Sequence, residues 1–100
     1  MAVLYVTEFA STQPPDAGAS MAAQPPAAEQ TVAIGGTTAQ SSAFKPNTNL
    51  IRLHTDAICS IEFGTNPTAT ATTARMAANQ TEYFGVPRNK SYKVAVITNT

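Results

Sequence analysis

Between Thr48 and Thr98 the sequence alternates short runs of β-branched and aromatic residues with turn residues, and nowhere sustains a helical period. That pattern restricts the chain to short strands joined by turns. Ala57 to Phe63 is the clearest strand: Ala57, Cys59, Ile61 and Phe63 face one way, and Ile58, Ser60 and Glu62 the other. Asn49 to His54 puts Ile51 and Leu53 on one face, with Leu50, Arg52 and His54 opposite. Tyr92 to Thr98 alternates Tyr92, Val94 and Val96 against Lys93, Ala95 and Ile97. Further strands are expected at Thr31 to Ile34, ended by Gly35-Gly36, and at Thr81 to Val86, closed by Pro87. Thr37 to Ser42 reads as loop or edge, and the Thr-rich stretch from Thr68 to Ala78 as an irregular loop. Six or seven short strands predict an all-β domain, either a small jelly-roll-like β-sandwich or a barrel.

Residues 2 to 9, AVLYVTEF, form one more expected strand, with Val3, Tyr5 and Phe9 on one face and Leu4 and Val6 on the other. Apolar residues on both faces imply burial on both sides, or docking into an existing sheet. Behind it, Pro14-Pro15 and Pro25-Pro26 interrupt a run of Ala, Ser, Gln and Gly that keeps no apolar period. Proline pairs favour extended polyproline conformation. Fully extended, that segment reaches roughly 60 Å at about 3.1 Å per residue. The expected organisation is an N-terminal arm at 1–10, a Pro/Ala-rich linker at 11–28 and a β-sandwich domain at 29–100. A plain strand of the same domain, with the linker folded back on its surface, is the simpler alternative.

Size favours association. A core built from about 70 residues seldom supplies more than roughly 3–5 kcal/mol. Cys59 is the only cysteine, so no internal disulfide adds to it. Burying Val3, Leu4, Tyr5, Val6 and Phe9 of the arm against a partner gains roughly 10 kcal/mol gross. Ordering the arm costs about as much, on the order of 1–2 kcal/mol per residue. Those five residues are therefore the expected partner-binding set, and the arm is expected to join a sheet edge for its backbone hydrogen bonds.

The charges exclude some partners. Six basic and six acidic residues give a net charge of zero, and Lys45, Arg52, Arg75, Arg88, Lys90 and Lys93 are scattered. Nucleic-acid binding needs a basic face, so no nucleic acid is expected. Only 12% of residues are charged, which suits a surface packed against other protein. The N-terminus lacks the basic region of a signal peptide, and no apolar run approaches a membrane span. The chain is expected to be made in a cytoplasm, with no membrane partner.

No catalytic set is legible. His54, Asp56 and Cys59 are the only candidates for a nucleophilic site, and Cys59 shares its face with Ala57, Ile61 and Phe63, which implies burial. One His and one Cys are too few for a usual zinc site. Glu62 and Glu82 are isolated strand acids. Gly35-Gly36 precedes no helix, so it makes no phosphate loop. Asn79-Gln80-Thr81 and Asn89-Lys90-Ser91 match a glycosylation sequon but read as turns. No enzymatic activity, metal or cofactor is expected.

The stretch from Leu50 to Ile97 resembles small virion proteins of tailed bacteriophages. The residues that carry the likeness are HTDAICSIEFGTNPTATATTARMAANQTEYFGVPRNKSYKVAVI. Within them stand an A-x-C-x-I-x-F-G-x-x-P-T-A strand and turn, an Asn-x-x-E-Y-F-x-V-P segment, and a closing K-V-A-V-I strand. The resemblance implies a β-sandwich used to decorate, cement or complete a capsid. It implies a major capsid protein or another virion protein as partner, a homo-oligomer, and a location in the virion after assembly in the host cytoplasm. A head–tail joining, tail or fibre-base protein is the structural alternative. A glycan- or receptor-binding β-sandwich, with Tyr83, Phe84 and Tyr92 as its aromatic platform, is the alternative of another class. The arm and linker lie outside the likeness.

Overall fold

The computed structural model describes residues 2–10, 12–13, 21–22 and 27–99. Ten strands follow in order: β1 Val3–Phe9, β2 Thr12–Gln13, β3 Met21–Ala22, β4 Ala28–Ala33, β5 Ala39–Gln40, β6 Leu50–Thr55, β7 Cys59–Gly64, β8 Ala74–Met76, β9 Thr81–Gly85 and β10 Lys93–Thr98. Eight of them make two four-stranded sheets, β4-β1-β6-β9 and β5-β10-β7-β8, and β2 pairs with β3. All pairings are antiparallel. The chain is all-β, and its two separate sheets make a sandwich rather than a closed barrel.

One register runs through most of the molecule. Paired residue numbers sum to 135 in three successive ladders: Gln40 with Ala95, Leu50 with Gly85, and Cys59 with Met76. The bonds at the corners between these ladders keep the same sum, with Ser41 donating to Val94, Asn89 to Pro46, Val86 to Asn49 and Thr55 to Gln80. The middle of the chain is thus a single antiparallel ribbon whose tip lies near Pro67 and Thr68. Its successive pairs fall in alternate sheets, which is jelly-roll wiring. Asn79, Asn89 and Ser91 lie at the corners with φ of 61°, 61° and 54°. Asn tolerates that left-handed conformation well, so both sequon asparagines are turn residues.

At β4 this ribbon register gives way, and the strand beside it is β1. β1 lies between β4 and β6, paired along Val3–Glu8 with one and Leu4–Phe9 with the other. The expected N-terminal strand thus lies inside a sheet of the same chain. The strand does need backbone partners, but it finds them on both sides within its own chain. The proline pairs and most of the expected linker lie outside the described residues.

The inward faces follow strand alternation. Leu4, Val6, Val32, Ile51 and Leu53 from one sheet meet Cys59, Ile61, Met76, Val94 and Val96 from the other, with Phe44 between them. Phe63 links the layers, its ring centroid 5.2 Å from Phe84 and 6.3 Å from Phe44. The faces expected for β6, β7 and β10 are the ones found. Thr37 to Ser42 contains the short edge strand β5, and the Thr-rich stretch ends in β8.

Candidate recognition face

The two outer faces of the sandwich differ. On the β5-β10-β7-β8 sheet, Ser60 and Ala95 point away from the core, yet both are completely buried. The ribbon tip covers them. Ala69 N donates to Thr38 Oγ1, Gln40 Nε2 donates to the Pro67 carbonyl, and Asn99 Nδ2 donates to both Ser60 Oγ and the Ala71 carbonyl. Pro67 and Ala69 are buried beneath the loop. Small residues on both sides, Ala and Thr in the tract and Ala95 and Ser60 in the strands, leave the room for this close approach.

Nothing among the described residues covers the outer face of the β4-β1-β6-β9 sheet in the same way. Strand register sets its side chains in rows. Thr31, Tyr5, His54 and Thr81 lie side by side across the four strands, and Glu29, Thr7, Arg52 and Tyr83 form the next row. Tyr5 and Tyr83, at 45% and 56% exposure, are the exposed large apolar side chains of the described chain, and both stand here. The Tyr5 ring leans on His54 at 6.2 Å, and His54 Nδ1 is 2.7 Å from Thr81 Oγ1. Tyr5, Thr7, Glu29, Arg52 and His54 together line a shallow depression of about 300 Å³.

The five residues expected to bind a partner are therefore split. Leu4, Val6 and Phe9 are buried in the chain itself, Val3 is half-buried, and only Tyr5 is exposed. Alternation along β1 sends Leu4 and Val6 into the core and leaves Tyr5 on the surface. Of the aromatic platform, Tyr83 faces solvent while Phe84 and Tyr92 pack against the core.

The residues tested for chemistry do not converge. Cys59 is fully buried and donates to Thr55 Oγ1 at 3.6 Å. Burial pushes its thiol above the ordinary value, with the Thr55 hydrogen bond opposing. His54 stands on the outer face. Asp56 accepts from Val3 N at 2.7 Å and so pins the start of β1. Glu62 is exposed and Glu82 is half-buried. No group of three or more His, Cys, Asp or Glu able to hold a metal occurs among the described residues.

One residue escapes the sequence reading. Glu8 shares the inward parity of Leu4 and Val6 and is 1% exposed. Its carboxylate accepts from Lys45 N and Thr48 Oγ1, both at 2.8 Å, and from Gln30 Nε2 at 3.4 Å. A buried carboxylate needs such partners. This one ties β1 to the corner that leads into β6. The signal was available, since an acid two places after Val6 and four after Leu4 continues their face.

No protein-family model, characterised protein or solved structure matches this chain.

Proposed function

We propose that the chain is a structural virion protein of a tailed bacteriophage, a capsid decoration or cement protein present in many copies. It works by association rather than by chemistry. The observation that carries this reading is the asymmetry of the sandwich. One outer face is closed by the chain's own Thr/Ala loop, and the other, among the described residues, is left uncovered with Tyr5 and Tyr83 on it. Exposed aromatic side chains on a weakly charged sheet are the usual makings of a protein interface. The likeness of Leu50 to Ile97 to small phage virion proteins supplies the setting. A second copy of the chain is then one partner and a major capsid protein or another virion protein the other, assembly takes place in the host cytoplasm, and no nucleic acid, membrane or cofactor is involved.

Quantitative mass spectrometry of purified particles tests the assignment. Hundreds of copies per particle support a decoration protein. A dozen or so point to a head–tail joining, tail or fibre-base part, and absence from particles ends the virion reading.

A glycan-binding role has one observation in its favour: Tyr5 and Tyr83 share their face with Glu29, Arg52 and His54, a mixture of ring faces and hydrogen-bonding groups. Binding of defined sugars on a glycan array, lost in Tyr5→Ala, distinguishes it.

A further inference from the structure

The bare face is self-complementary about β1. Thr7 is paired on one side with Glu29 of β4 and on the other with Arg52 of β6. The acid and the base are thus placed symmetrically, one strand to either side, in the same row. Strands lie about 4.8 Å apart, so roughly 9.6 Å separates the two backbone positions. Among the described residues, neither Glu29 nor Arg52 forms an ion pair within the chain.

We infer that the occupant of this face is a second copy of the chain, related by a two-fold axis lying along β1. This deepens the association reading above and rests on it. Such an axis places Glu29 of each copy opposite Arg52 of the other, twice over, as an isologous interface requires. Thr7 then meets its own counterpart, and so does Tyr5 in the next row. Thr31 falls opposite His54. Tyr83, two strands from the axis, reaches past the Glu29–Arg52 pair and shields it at the rim, where excluded water strengthens the pair. An axis along β6, the other inner strand, sets Thr7 against Tyr83 and Arg52 against its own counterpart, a like-charge contact. The register therefore favours β1. Stacked sheets usually cross at about 30°, which inclines each β1 by about 15° to the axis, a tilt that two adjacent rows near the axis accommodate.

The area sets the strength. Four strands span about 19 Å, and the rows repeat about every 7 Å along a strand. The patch is smaller than the roughly 800 Å² per partner of a standard stable interface. An interface below that size is of the weak, transient kind, so the isolated protein should form a weak dimer that loosens further in high salt.

Sedimentation velocity over a concentration series, on the full chain and on charge-reversed variants, tests this. The wild type should pass from monomer to dimer. Glu29→Arg and Arg52→Glu should each weaken association by about tenfold or more, because each places like charges opposite one another. The double variant E29R/R52E should return to within about threefold of wild type, since the pair is restored with its signs exchanged. Thermal melts establish that all three variants are folded. A wild type that stays monomeric overturns the inference, as do single reversals that dimerise normally or a folded double variant that does not recover. The measurement needs no particles, so failure of the virion assignment and failure of the dimer are told apart.

Discussion

Ala2 and Thr98, near opposite ends of the sequence, are held at neighbouring residues of one corner. The Ala2 carbonyl accepts from Ile34 N at 3.0 Å, and Thr98 N donates to the Gly35 carbonyl at 2.9 Å. β1 stands between β4 and β6 and so brings the start of the described chain beside the end of β10.

A circular permutant follows directly. A chain that starts at Ala27 and joins Asn99 to Ala2 through a linker of about five residues should fold to the same sandwich, because each extended residue spans about 3.3 Å. Circular dichroism and the melting temperature check it. A melting temperature within a few degrees of the parent is expected, and an unfolded permutant contradicts the placement of β1.

Leu4 and Tyr5 are adjacent yet should behave as opposites. Leu4 is fully buried, so Leu4→Ala should cost about 2–5 kcal/mol, a large share of the stability of a small domain. Tyr5 faces solvent, so Tyr5→Ser should cost about 0.5 kcal/mol or less in the monomer while weakening association. Urea unfolding of the two variants separates them. Equal, small effects would mean that β1 is a detached arm after all.

Glu8→Ala should destabilise by about 2–4 kcal/mol, since it leaves Lys45 N and Thr48 Oγ1 without their acceptor in a buried site. Hydrogen exchange at the Lys45 amide should accelerate with it. An unchanged rate at Lys45 would show that the carboxylate does not hold that corner.

Cys59 should link stability to alkaline pH. Burial raises its thiol above the ordinary value of 9.0, so the folded chain keeps a proton that the unfolded chain releases first. Its contribution is intact below that value and declines as pH rises past it. Urea midpoints of wild type and Cys59→Ala, followed from neutral to alkaline pH, should show a steeper alkaline fall in the wild type. Parallel curves would contradict the assignment.

Much of the core was legible because alternation is a local signal. Ile51 and Leu53, Cys59 and Ile61, and Val94 and Val96 declare their shared faces within a few residues. The position of β1 was not, because its partners lie at 28–33 and 50–55 and no local pattern names them. Val3, Tyr5 and Phe9 made that strand look apolar on both faces and invited the idea of an arm. Only the exposure of Tyr5 and Tyr83, which the register of β1, β6 and β9 sets on one side, reveals which face is uncovered among the described residues. The covering role of the Thr/Ala tip was hidden for a related reason. Low-complexity sequence carries no period, and its partners Thr38, Gln40 and Asn99 are distant in the chain.

The central claim is that association takes place on the outer face of the β4-β1-β6-β9 sheet. Hydroxyl-radical footprinting at rising protein concentration tests it most directly, reading side-chain oxidation at each tyrosine. Tyr5 and Tyr83 should be oxidised readily in dilute protein and become protected as the protein associates, while Tyr92, packed against the core, stays at one low level throughout. Association that leaves Tyr5 and Tyr83 as reactive as before would contradict the claim.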